Sequence, residues 1–160
     1  MPPITVILHT RNDAVRLGRA LQTLHPCDEV LVIDHGSSDG TLRVARDYGA
    51  RILNAVSGQS PGDHLAAALC DWVFYLRPSE ALSEGLEASL FEWKLREQND
   101  VSGIAACAVA VREEAAIGWS QRGPSIRLVP KGWNSWNGEL PAEDPRSVLL
   151  PGDLLRFRRP

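Results

Sequence analysis

An α/β protein, built on an open, mainly parallel sheet with helices on both faces and a small mixed-strand region from the C-terminal third, is predicted by three features. Strand-like and helix-like segments alternate along the first hundred residues. The strand-like runs are continuously apolar, as in parallel strands buried on both faces. Each run ends in a polar, turn-forming segment, and ligands on such sheets bind beyond the carboxyl ends of the strands.

The run ITVILH, Ile4 to His9, is short, β-branched and apolar, and the polar TRND after it marks a strand end and a helix start. A helix over about 13–24 is expected to bury Val15, Leu17, Ala20, Leu21 and Leu24, and His25, Pro26 and Cys27 end it. EVLVID, Glu29 to Asp34, is a second strand. In HGSSDGT after it, Ser38 or Asp39 can cap a helix over about 41–48, with Gly49 as its C-terminal cap. RILNA is a third strand and PGDHLAAALC a short helix ending before Asp71. Right-handed crossovers between these strands bring HTRND, DHGSSDG and RPSE to one sheet edge.

Trp72 to Leu76 is a fourth strand, followed by an amphipathic helix with Ser83, Glu80 and Glu84 near its start and Leu82, Leu86, Leu90, Trp93 and Leu95 at helical spacing. Gly103 to Arg112 is a strand rich in small residues. SIRLVP, KGWNSWNGELPAEDP and SVLLPGDLLRF then read as short antiparallel pieces separated by Gly and Pro.

Composition sets the outer bounds. A chain of 160 residues fits one domain, 1–160, and its 44% hydrophobic and 23% charged residues are those of a globular protein. A net charge of -3 gives no electrostatic footprint for nucleic acid. Cys27, Cys70 and Cys107 form no CxxC pair, which points to a reducing, cytoplasmic setting, and no segment has the length of a membrane span. The terminal LLRFRRP allows at most peripheral membrane contact. His9, His25, His35 and His64 lack zinc-ligand spacing along the chain and have no Cys nearby, so no metal site of the His/Cys kind is expected.

ITVILHTRNDAVRLGRALQTL followed by DEVLVIDHGSSDGTLRVARDYGARI resembles the N-terminal half of family 2 glycosyltransferases, which have the GT-A fold and use nucleotide-sugar donors. The likeness is nearest to the bacterial subgroup that builds lipopolysaccharide cores, and it continues through CDWVFYLRPSEAL. The resemblance implies a GT-A-like fold. Residues 1–100 would form its nucleotide-sugar-binding half and 101–160 a shortened acceptor-side region. It also implies that Thr10, Arg11 and Asn12 lie beside the donor nucleotide, with Asp34 near its base or ribose, where a carboxylate or hydroxyl accepts hydrogen bonds. Thr10 and Asn12 could equally cap the first helix. Asp39 is expected to hold the SSDGT turn, with Gly40 supplying backbone freedom.

Members of the family carry an Asp-x-Asp motif that holds Mg²⁺ or Mn²⁺ on the donor diphosphate. Arg77, Pro78 and Ser79 stand there in this chain, and only Glu80 remains as a metal ligand, unless it is a first-turn helix acid. Two expectations follow for the cofactor: a divalent cation at Glu80, or none, with Arg77 engaging the diphosphate directly. Arg77 could instead face solvent, or pair with Glu80 or Asp71. On the acceptor side WNSWNGELPAEDP lacks the family's histidine, and Glu139, Glu143 or Asp144 could take the acceptor proton, Glu139 and Asp144 being the candidates retained. Trp133 and Trp136 could seat a sugar ring or close over the core.

The function implied is transfer of a sugar, most naturally from a UDP-sugar, to a saccharide or lipid-linked acceptor. A catalytically inactive binding or assembly module, either as a homo-oligomer or beside an active transferase, is the alternative.

Overall fold

The computed structural model describes residues 2–160, and of Gln98 and Asn99 the backbone only. In chain order the elements are β1 (Ile4–Thr10), α1 (Ala14–Leu21), β2 (Glu29–Asp34), α2 (Thr41–Asp47), β3 (Arg51–Asn54), α3 (Pro61–Ala66), β4 (Trp72–Tyr75), β5 (Glu80–Leu82), α4 (Glu84–Lys94), α5 (Gln98–Val101), β6 (Cys107–Glu114), β7 (Trp119–Pro130), β8 (Trp136–Asn137), β9 (Leu140–Pro141) and β10 (Val148–Arg156).

One eight-stranded sheet runs β3-β2-β1-β4-β7-β6-β10-β5. The first four strands are parallel, as expected, and lie in the order β3-β2-β1-β4. Alternate residues of each strand serve opposite faces, as the period of two requires. Val6, Leu8, Val32 and Phe74 join Leu17, Ala20, Leu86 and Trp93 in one core, while Ile7, Leu31, Ile33 and Tyr75 join Leu65 and Trp133 in the other.

Several expectations change. Val15 is 81% exposed. At 100° per residue it points almost opposite Leu17, so the buried stripe of α1 is Leu17, Ala20 and Leu21. The helix expected over PGDHLAAALC starts on a reciprocal capping box between Ser60 and Asp63 and stops at Ala66, after six residues. Leu82 belongs to β5 rather than to α4, which starts after Ser83, whose hydroxyl accepts from the Leu86 amide. Leu95 is exposed beyond the end of α4.

The larger revision concerns the C-terminal third. SIRLVP is the inner end of a strand of 12 residues, β7, whose outer half is solvent-facing and polar and therefore carries little apolar signal. β7 inserts antiparallel between β4 and β6, and β10 pairs parallel with β6, so this region completes the main sheet. Among the described residues only β8 and β9 form a separate small sheet. Gly152 makes the join between β10 and α4 possible. Its φ is +98°, and a Cβ there would lie 2.4 Å from the Leu86 nitrogen.

Candidate functional site

The parallel register sets Thr10 beside Asp34 at the carboxyl ends of β1 and β2. Their side chains bond at 2.7 Å, and Asp34 also accepts from the Ser37 hydroxyl at 2.6 Å and the Ser37 amide at 2.9 Å. Burial alone would push the Asp34 carboxyl up, but the Ser37 and Thr10 bonds outweigh it and hold it below the usual carboxylate range. Asp34 thus fixes the two loops to each other.

Asn12 adds a second tie. It adopts φ +54°, which Asn tolerates better than most residues. Its amide donates to the Ser37 hydroxyl at 2.9 Å, and its Oδ1 accepts from the Ser38 amide at 2.8 Å. Asp39 joins two helix starts, accepting from the Ala14 amide at 3.2 Å and the Thr41 amide at 3.0 Å. The turn-holding role expected of Asp39 is the one this geometry gives it.

A cavity of about 580 Å³ opens at this edge, walled in part by Thr10, Arg11, Arg16, Tyr75, Arg77 and Glu139. That volume lies in the range of small-ligand sites. Arg16 is paired with Asp13 at 2.6 Å. The side chains of Arg11 and Arg77, both exposed, make no ion pair or hydrogen bond among the described residues. The Tyr75 hydroxyl, buried in the cavity wall, has no hydrogen-bond partner there either.

Glu80 is turned away from this cavity. It lies in β5, not in a helix, and is fully buried. Arg127, also fully buried, donates Nη1 to Oε1 at 2.7 Å and Nη2 to Oε2 at 2.9 Å. Arg156 adds bonds to Oε2 at 3.0 and 3.2 Å, and the Arg77 amide donates to Oε1 at 2.9 Å. Burial pushes the Glu80 carboxyl up, but the bonds and charge of Arg127, the Arg77 amide and Arg156 together hold it below its usual range. Both oxygens are committed to donors that a divalent cation would have to displace against two guanidinium charges. The turn therefore does not fit a metal, and the expected ligand role of Glu80 is replaced by a structural one. Arg77 meets Glu80 only through its backbone.

The acceptor-side expectations divide. Gly138, at φ +64°, and Glu139 form the two-residue turn between β8 and β9, a geometry that suits glycine at the first position. This turn sets Glu139 on the cavity wall, 3.9 Å from His9 Nδ1. Asp144 is not brought there. It accepts from Arg146 Nη2 at 2.7 Å and Nε at 3.0 Å, and these bonds bring its carboxyl down to about 2, making it a weak base. Trp133 closes over the second core, while Trp136 packs edge-on against Tyr75 at 5.7 Å.

Linear spacing concealed a histidine cluster. His9 stands one residue before Thr10 and His35 one after Asp34, so the register that pairs those two also brings the rings together, with His9 Nδ1 2.8 Å from His35 Nε2. His64 packs edge-on against His9 at 5.0 Å. Burial chiefly, helped by the neighbouring imidazoles and opposed by Glu139, brings His9 down to about 4. Arg127 was equally hidden. Its one signal is a lone cation inside an apolar strand, which requires a buried anion elsewhere.

A sheet of this order, with the loops after β1, β2 and β4 converging on one cavity, is the GT-A glycosyltransferase fold. A mycobacterial protein of solved structure matches 99% of this chain and 68% of its own length, with a TM-score of 0.62 at 15% identity. Mannosyl-3-phosphoglycerate synthase from Rubrobacter xylanophilus matches 70% of the chain and 41% of itself, with a TM-score of 0.53 at 21% identity. Glucosyl-3-phosphoglycerate synthase from Mycobacterium tuberculosis, solved with Mn²⁺, UDP and glucosyl-3-phosphoglycerate, matches 71% and 45%, with a TM-score of 0.50 at 21% identity.

In sequence, a Rickettsia felis protein described as an uncharacterized glycosyltransferase is 32% identical over 91 residues, which are 54% of this chain and 32% of that protein. The 4,4'-diaponeurosporenoate glycosyltransferase of Staphylococcus aureus is 40% identical over 57 residues, 33% of this chain and 15% of its own. The chain thus spans about a third or less of the curated relatives it matches. No protein-family model matches it. The resemblance to glycosyltransferases and the expected fold are borne out. Among the described residues no helix is long and apolar enough to cross a membrane.

Proposed function

We propose that this chain supplies the donor-binding part of a nucleotide-sugar-dependent glycosyltransferase, in which Arg11 and Arg77 receive the donor diphosphate without a cation at the β4 turn. The observation that carries this reading is Arg77, at the end of β4 on the cavity wall, its guanidinium without a partner among the described residues while the neighbouring acid is locked inside. Two guanidinium forks match phosphate oxygens in charge and in bidentate geometry. Thr10, Asn12 and Asp34 hold the rim on which a uracil or ribose would rest, with residues 1–100 forming the donor side and 101–160 the acceptor side.

Sugar transfer to an alcohol acceptor needs a base for the acceptor proton. Of the two acids retained for that role only Glu139 walls the cavity, and it takes the role in this reading. The acceptor is a saccharide or lipid-linked saccharide, of the kind used in lipopolysaccharide-core assembly. Free Cys27, Cys70 and Cys107 suit a reducing, cytoplasmic setting.

Thermal unfolding in EDTA tests the donor half of this reading. UDP or a UDP-sugar at a hundredfold excess over its dissociation constant should stabilise the fold by about 2.7 kcal/mol. No rise in Tm with UDP, GDP or CMP donors would contradict it.

A further inference from the structure

We propose that His9, His35 and Glu139, on the wall of the edge cavity, form a binding site for a first-row divalent transition metal, zinc being the representative ion. One ligand atom from each of the three lies within 4.8 Å of the other two. The three come from separate segments, the end of β1, the loop after β2 and the β8–β9 turn, so the fold rather than local sequence assembles them.

Their chemistry selects the ion class. Two imidazoles and one carboxylate suit zinc, cobalt, nickel or iron, whereas magnesium and calcium prefer all-oxygen sites. The two ring nitrogens stand 2.8 Å apart. Opening them by about 0.5 Å gives the separation of two imidazole ligands on a tetrahedral ion with metal–nitrogen bonds near 2.0–2.1 Å.

A second observation points the same way. A cavity of about 260 Å³ is bounded by His9, His35, His64, Gln59 and Glu139. His64 is 8% exposed, and its Nδ1 is buried without a hydrogen-bond partner among the described residues. Its Nε2 lies 3.2 Å from the Gln59 side-chain oxygen. An N–H donated there leaves Nδ1 as a bare lone pair, the arrangement by which an outer carbonyl orients a metal-binding histidine. An unpaired buried nitrogen on a residue that walls this cavity is costly unless an ion or water there meets it.

The site uses no residue of the β4 turn, although both line the edge cavity, and it is tested without a donor. Metal there engages Glu139, so the loaded chain loses that carboxylate as a base.

The test is zinc and cobalt titration of the full chain without nucleotide, followed by calorimetry and, for cobalt, visible absorption. One equivalent should bind, with cobalt giving the intense bands of a low-coordinate nitrogen-containing site and magnesium giving no heat. His35→Ala and Glu139→Gln, both at exposed positions, should each weaken binding by about tenfold or more, while His25→Ala should leave it unchanged. Circular dichroism and Tm confirm that each variant is folded. Absence of zinc binding, or zinc binding that the His35 and Glu139 changes leave intact, would overturn the proposal. Neither result bears on UDP binding in EDTA, which tests the donor reading separately.

Discussion

Glu80 and Arg77 sit three residues apart on one turn and face opposite fates. The Glu80 carboxylate is buried, with every acceptor direction filled by Arg127, Arg156 and a backbone amide. The Arg77 guanidinium stands on a cavity wall without a partner among the described residues. Inside, one carboxylate and the two guanidinium groups bonded to it fix the sheet around β4, β5, β7 and β10. At the rim, charge is left for something else. The same division explains why an acid near the expected metal position is not a metal ligand here, and why an arginine can be more than a lost carboxylate.

Mutation should separate the two sides of the turn. Glu80→Ala leaves Arg127 buried and unpaired, and should cost about 3–5 kcal/mol in denaturant unfolding. Gly152→Ala strains the locked side from behind, because its positive φ and the contact with Leu86 both reject a Cβ. A loss of more than about 1 kcal/mol is expected.

A pH series sharpens the point. The folded Glu80 has a lowered pKa, so its contribution is fully present above the unfolded value of 4.5 and is lost as pH falls through the folded value. The stability gap between the native chain and Glu80→Gln should therefore narrow on acidification below about 4.5, with the gap constant near neutrality. By contrast Arg77→Ala and Arg11→Ala should change stability by within about 0.5 kcal/mol. Equal losses at Glu80 and Arg77 would erase the contrast.

The first four strands were legible because apolar runs buried on both faces, closed by polar turns, carry strong local signals. The DHGSSDG loop was legible in part, since Asp34 bonds Ser37 and Asp39 bonds Thr41 within a few positions, whereas its ties to Asn12 and Ala14 cross 25 or 26. Less was readable where partners are distant. The exposed half of β7 lacks an apolar pattern, and Arg127 meets Glu80 only once β7 lies against β4. The metal candidates His9 and His35 are 26 positions apart, and only the parallel register reveals them as neighbours. For the site, Thr10, Arg11, Arg77 and Glu139 converge on the cavity, whereas Glu80 and Asp144 are held elsewhere by arginines that sequence spacing alone did not assign to them.

The most direct measurement is calorimetric titration of UDP and UDP-sugars into the native chain and Arg77→Ala, each with Mn²⁺ and with EDTA. Binding should survive EDTA and weaken by about tenfold or more in Arg77→Ala, as expected on losing a charge-assisted phosphate contact. Binding that requires Mn²⁺, or that is indifferent to Arg77, would contradict the donor reading.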